Sequence, residues 1–215
     1  MSKSVGKSVT RVDAYEKATG RAKYMDDLCD RSALIVKICH STIAHGFVKS
    51  VDTTAAAAIP GVVKILTCFD VPDIEFPTAG HPWSTDPHHQ DVADRKLLNR
   101  HVRYYGDEVA MVIAEDEITA SQAVRAIKVE YEELPFVLDV QEAMKDGAPQ
   151  IQERYKNNIL AHSDVRRGDY ETARQEPGLI KVEGWYDTPT VQHCHIENHG
   201  CFAYEEAGRV VVVSS

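Results

Sequence analysis

The sequence predicts an α+β fold, and three observations carry that expectation. Apolar runs rich in β-branched residues recur at Ala33–Cys39, Val62–Thr67 and Val109–Ala114, each of strand length. Asp116–Lys128 places Ile118, Ser121, Ala123, Val124 and Ile127 at helical spacing. The stretch Trp185–Ser215 then crowds Gln192, His193, Cys194, His195, Glu197, His199 and Cys201 between two further strand-like runs.

The elements follow in order. Residues 1–17 read as a polar leader, with a turn signal at Gly20. Ala33–Cys39 and Val48–Asp52 are expected strands. Asp52 or Thr53 is the expected N-cap of an alanine-rich helix that Pro60-Gly61 stops. Val62–Thr67 is the next strand. Residues 73–95, rich in proline and histidine, read as one long loop, and loops of more than about 15 residues in compact domains are commonly functional. Val102–Tyr105 leads through a Gly106-Asp107 turn into Val109–Ala114. The helix over Asp116–Lys128 follows, and then a strand alternating Val129 and Tyr131 inward with Glu130 and Glu132 outward. Strand, helix and strand with such short links predict a right-handed β-α-β unit. Beyond Leu134-Pro135 come a short helix at Val140–Lys145, irregular charged sequence, and expected strands at Leu179–Tyr186, Gly200–Tyr204 and Val210–Val213. That last strand has no closing element, as though the chain were cut at the approach to an active site. These elements compose a first α+β domain over roughly 21–135, a linker, and the start of a second domain.

Composition narrows the function. A chain of 215 residues buries roughly 70% of its unfolded surface, enough for a core without staples. A net charge of −9 with no clustered basic face argues against nucleic acid as a partner. No run approaches the ~18 apolar residues of a membrane span, and MSKSVGKSVTRVDA lacks the apolar core of an export signal. A cytoplasmic location is expected, with no membrane partner. The five cysteines, an odd number at irregular spacing, read as free thiols in a reducing compartment.

Several constellations are candidates for chemistry. His193, Cys194, His195, His199 and Cys201 are zinc's preferred donor types, but their spacing fits no finger or knuckle. An extended 192–196 would also turn His193 and His195 away from Cys194. Glu197 suits a general base if burial raises its pKa, and equally suits a satisfied polar residue beside a turn. His81, Asp86, His88, His89 and Asp91 form a second cluster in the long loop, readable as metal ligands or as solvated surface. Cys201 with His195 is a pairing on paper for nucleophilic catalysis. No nucleophile elbow and no phosphate-cradling glycine loop occurs.

Four segments in order resemble one family. KATGRAKYMDDL (Lys17–Leu28), the strand–helix–Pro-Gly succession of Ser41–Pro72, the Tyr-x-Gly turn to Glu-Glu-Leu-Pro ending of Arg103–Pro135, and the QHCHIE segment are similar to the N-terminal part of the molybdenum-binding subunit of the xanthine dehydrogenase and aldehyde oxidase family. TAGHPW (Thr78–Trp83) and QHCHIE look closest to bacterial xanthine dehydrogenases. The resemblance implies an α/β hammerhead domain over 18–140, a linker over 141–178, and the incomplete start of a molybdopterin-binding domain over 179–215. It implies hydroxylation of a xanthine- or hypoxanthine-type purine with water as the oxygen source, on a molybdenum-pterin cofactor. Electrons then pass through Fe-S clusters to FAD in partner subunits or domains. The expected partners are the remainder of the molybdenum subunit, the FAD-binding and Fe-S subunits, and a small purine substrate. Gln192 matches a glutamine that the family places near molybdenum, although the Gln192-to-Glu197 spacing is one residue shorter than in some relatives. His193 and Glu197 are then supporting or structural residues. The family's general-base glutamate would lie downstream of Ser215, so no catalytic residue and no metal ligand is expected within these residues, and the chain alone should be inactive. Two rival readings stand beside this one: a self-standing hammerhead interaction or assembly module, and a small metal-binding protein using the 193–201 cluster.

Overall fold

The computed structural model describes residues 4–77, 93–160, 162 and 164–215. Its elements are α1 (Ala14–Ala18), α2 (Met25–Leu28), β1 (Ile35–His40), β2 (Gly46–Asp52), α3 (Thr54–Ala57), β3 (Val62–Thr67), β4 (His101–Val102), β5 (Glu108–Ala114), α4 (Glu117–Ala126), β6 (Lys128–Glu133), α5 (Val140–Ala143), α6 (Tyr170–Ala173), β7 (Cys201–Glu206) and β8 (Arg209–Ser214). Contacts divide the chain into two units, Leu34–Leu179 and the pair of segments Met1–Ala33 with Ile180–Ser215.

The Leu34–Leu179 unit holds two antiparallel three-stranded sheets, ordered β1-β5-β3 and β4-β2-β6. The run EVAMVIA becomes the centre of the first sheet, with Val109, Ala110, Val112 and Ala114 fully buried. Helix α4 packs on β1 and β5 through Ala120 and Ala123, whose small side chains allow close approach. Asp116 caps α4, its carboxylate accepting from the Thr119 amide at 2.8 Å and the Thr119 hydroxyl at 2.7 Å. Lys37 of β1 reaches Glu117 of α4 at 2.8 Å on the exposed side. Gly46 opens β2 where a side chain would collide with the Glu132 carbonyl of β6. The core joins these elements through Cys39, Val48, Ala56, Val102, Val109, Val112 and Ile127.

Most predicted elements stand, including the inward Val129 and Tyr131 of β6. Three expectations are corrected. Strand β5 is hydrogen-bonded on both edges, to β1 and β3, so β6 cannot join it and pairs with β2 instead. The expected β-α-β unit is therefore a crossover between two sheets. Leu179–Tyr186 forms no strand, because no described strand offers it a ladder and Ile180 stays 90% exposed. Finally, the C-terminal strand is not partnerless, since β8 pairs with β7 from Cys201↔Ser214 to Glu206↔Arg209. The alanine helix α3 is only one turn long, ended by the Pro60-Gly61 turn, with Gly61 at φ 91°.

Candidate functional site

The segment between Asp187 and Gly200 carries the predicted site residues and has no helix or strand of its own. Its C-terminal end is fixed by the β7–β8 hairpin. Ala207 and Gly208 turn that hairpin with φ of 50° and 74°, the pair of positive values that matches the right-handed twist of two-residue hairpins. Ser215 closes the far end of the ladder. Its amide donates to the Gly200 carbonyl at 3.2 Å, and its hydroxyl accepts from the Gly200 amide at 3.2 Å. The same hydroxyl reaches the Asn198 carbonyl at 3.4 Å.

Glu197 makes the second anchor. One of its carboxylate oxygens accepts from the Met25 amide at the start of α2, at 3.3 Å. Gly200 lies directly against the Met25 methyl, where a side chain would not fit without moving it. Gln192 folds back on its own backbone, its Oε1 accepting from the His193 amide at 2.7 Å. Its Nε2 has no acceptor among the described residues and stays free to donate outward.

Cys194 at φ 52° kinks the chain, and the imidazoles on either side of it stack. His193 and His195 lie nearly parallel with centroids 5.3 Å apart, and His195 and His199 follow at 5.6 Å. Gln192, Cys194, His195, Glu197, Asn198 and His199 line an open depression of about 420 Å³. His193 lies on the stack but not in this lining. The thiols of Cys194 and Cys201 are exposed and unpaired. Among the described residues no three His, Cys, Asp or Glu side chains converge on a metal position. Ring stacking directs the imidazole faces, not their nitrogens, at one another.

Glu197 serves as a tether in this geometry, holding the loop to α2. The cluster of His81, Asp86, His88, His89 and Asp91 lies outside the described residues, as does Thr78–Trp83. Reading the sequence missed His45 and His101, which the sheet β4-β2-β6 brings together at 3.0 Å. Their separation in sequence gave no signal for it, since only strand pairing makes them neighbours.

A molybdenum-pterin group places a definite demand on these residues. It needs neutral or cationic donors towards its oxygens, and the free Nε2 of Gln192 supplies one. His195, Asn198 and His199 add further possible donors to the same lining, whereas the Glu197 carboxylate only accepts, so the donor types present suit such a group on the Gln192 side.

Residues 19–135 match the family described as aldehyde oxidase and xanthine dehydrogenase, a/b hammerhead domain. A xanthine dehydrogenase molybdenum-binding subunit from Escherichia coli O157:H7 is 42% identical over 206 residues, covering 95% of this chain and 27% of that relative. Among solved structures, the aldehyde oxidoreductase from Desulfovibrio desulfuricans ATCC 27774 aligns with a TM-score of 0.80 at 29% identity, over 97% of this chain and 23% of that one. Quinoline 2-oxidoreductase from Pseudomonas putida 86 also gives 0.80, at 27% identity over 100% and 27%. The chain thus spans about a quarter of the length of the proteins it resembles. With the hammerhead match extending over more than half of its residues, the chain belongs to the aldehyde oxidase and xanthine dehydrogenase family of molybdenum-containing oxidoreductases.

Proposed function

We propose that this chain acts as the N-terminal quarter of a molybdenum hydroxylase large subunit whose substrate is a xanthine- or hypoxanthine-type purine. The carrying observation is the 42% identity to a xanthine dehydrogenase molybdenum-binding subunit, which extends through 95% of the chain and so includes the Gln192 segment. On this reading 18–140 is the hammerhead domain, 141–178 the linker, 179–215 the beginning of the molybdopterin-binding domain, and 1–17 a leader.

The bound molybdenum-pterin would supply two-electron oxidation of a ring carbon with oxygen drawn from water. Gln192 would donate from Nε2 to the cofactor's edge. Glu197, bonded to the Met25 amide, and Ser215, bonded to Gly200, would hold the Gln192 loop in place. His193, in the imidazole stack, would support that loop. Fe-S and FAD partners would carry the electrons away, in the cytoplasm.

Exposure supports the division of labour. Trp185, Tyr186, Ile196 and Val210 stand in solvent, so the Ile180–Ser215 segment leaves unburied the apolar side chains of a larger fold.

The test is activity in two preparations. The 215-residue chain should show no xanthine-dependent dye reduction. The complete subunit with its partners should show it, and Gln192→Ala there should lower kcat by more than it raises KM. Turnover by the 215-residue chain, or a complete subunit indifferent to xanthine and hypoxanthine, would overturn the proposal.

A further inference from the structure

The two sheets of the Leu34–Leu179 unit differ on their outward faces. On β4-β2-β6 the outward side chains are polar or already partnered. The Ser50 hydroxyl donates to Glu130 at 2.7 Å, and Phe47 stacks on His101 with centroids 4.3 Å apart. That is the pattern of a sheet with one solvated face.

The sheet β1-β5-β3 does not follow it. Its register sets side chains in rows that alternate between the faces. Ile35–Ala114–Val62 and Cys39–Ala110–Thr67 lie on the side that α4 covers. Val36–Ile113–Lys64 and Ile38–Met111–Leu66 lie on the other side. There Val36 is 52% exposed, and Ile38, Met111, Ile113 and Leu66 are only half-buried. EVAMVIA is thus apolar on both sides, the composition of a strand covered from both. At one end this face runs into a groove of about 470 Å³, where Ile38 and Glu108 meet Phe76, Leu97 and Tyr104.

The edges of this sheet are poor templates for an added strand. β3 bulges between Val62 and Lys64, and β1 shifts register between Cys39 and His40. The cover belongs on the face. Three strands at about 4.8 Å spacing span roughly 10 Å, the width of one helix with its side chains.

We propose that a helical segment from the rest of the large subunit lies across Val36, Ile38, Met111, Ile113 and Leu66 and presents a carboxylate to Lys64. This rests on the reading of the chain as part of a larger subunit, and not on its purine substrate. The chain spans 27% of the xanthine dehydrogenase subunit it matches, so most of that polypeptide is available to supply the layer. Charge complementarity sets the chemistry of the segment. Lys64 forms no ion pair with any described residue, and it acts on the Asp70 carboxyl only as the least of several influences. Once the face is covered, its ammonium needs a carboxylate partner. The same two rows from a second copy of the chain would bring Lys64 no acid, since they contain none. A separable partner fits less well, because such interfaces are about as polar as ordinary surface.

Amine labelling reads the cover without requiring activity. N-hydroxysuccinimidyl acetate should modify Lys64 in the 215-residue chain nearly as fast as in the urea-unfolded chain. In the isolated complete molybdenum subunit the reaction should be at least about tenfold slower, since it must await opening of the cover. Ile113→Glu should leave the Tm of the 215-residue chain within about 2 °C, as an outward substitution does, and should sharply lower the soluble yield of the complete subunit. Equal labelling rates in the two preparations would overturn the proposal, as would equal damage from Ile113→Glu in both or none in either. Protection that appears only after the Fe-S and FAD subunits are added would assign the face to a separate partner. Protection that grows with the concentration of the 215-residue chain would assign it to a second copy, and either result overturns the proposal. A complete subunit inactive on purines but with Lys64 protected would overturn the substrate reading alone.

Discussion

Strands β5 and β8 read almost alike, EVAMVIA and RVVVVS, yet they end in opposite environments. Val109 and Val112 of β5 are fully buried, whereas Val210 and Val212 of β8 are 77% and 63% exposed. The difference comes from the neighbours. β5 has a ladder on each edge and α4 across one face, while among the described residues β8 has a ladder on one edge only. A β-branched run supplies strand propensity, and burial is conferred by what packs on it. The Leu34–Leu179 unit therefore carries its own core, and the 201–214 hairpin within Ile180–Ser215 stays a marginal two-stranded ribbon.

The largest effect should come from breaking the junction that holds β2 to β6. Gly46→Ala drives a methyl into the Glu132 backbone carbonyl and within 2.8 Å of the Ile43 side chain, and backbone cannot step aside as a side chain can. We expect a loss of about 3 kcal/mol, the upper end for overpacking, read by chemical denaturation. A loss below ~1 kcal/mol would show that the β2–β6 pairing is looser than its register implies.

The two strands can then be compared directly. Val112→Ala removes methyls from a fully buried position and should cost about 2 kcal/mol. Val212→Ala in β8 should cost under about 0.5 kcal/mol in the same measurement on the same chain. Equal costs would mean that the hairpin is as well packed as the sheet, which would erase the distinction between the regions.

A third test uses pH. His101 titrates near 4 in the folded chain because of burial and then Arg103, against about 6.5 when unfolded. The unfolded chain therefore binds more protons between these values, so stability rises with pH from about 4 to 6.5 and is flat above. Within that window the slope should approach ~1 kcal/mol per pH unit, the limit for one proton being about 1.4. His101→Phe keeps the stack on Phe47 and should flatten this part of the profile. An unchanged slope would assign it to other groups.

What the sequence made legible divides along the same line. The strands and α4 of the Leu34–Leu179 unit were readable because period-2 and period-3.6 patterns survive where one face is buried. The β-α-β expectation failed because local spacing cannot say that both edges of β5 are already occupied by β1 and β3. Leu179–Tyr186 has strand composition but no ladder partner among the described strands, and composition does not reveal that. At the candidate site, the crowding of Gln192, His193 and Glu197 was visible, whereas the tether from Glu197 to Met25 spans 172 positions and was not. The His45–His101 contact was hidden for the same reason, being created by the pairing of β2 with β4.

The smallest expected effect compares two copies of one local motif. Asp116 and Asp169 each precede a helix, and each accepts from the amide and hydroxyl of a threonine three residues on, at 2.8 and 2.7 Å for Thr119 and at 3.1 and 2.6 Å for Thr172. Both carboxyls are held below the usual range, Asp116 mainly by the Thr119 amide and Asp169 mainly by the Thr172 hydroxyl. What differs is the helix behind the cap. α4 buries Ala120 and Ala123 against the sheet, while α6 is a single turn that buries nothing. Losing the Asp116 cap should therefore propagate into the core and lower Tm, with Asp116→Asn retaining most of it because an amide oxygen caps equally well. Losing the Asp169 cap should leave Tm unchanged and only speed amide exchange across Tyr170–Ala173. Equal shifts in Tm from Asp116→Ala and Asp169→Ala would mean that the caps act through local helix formation alone and that the packing of α4 is not what couples its first turn to the fold.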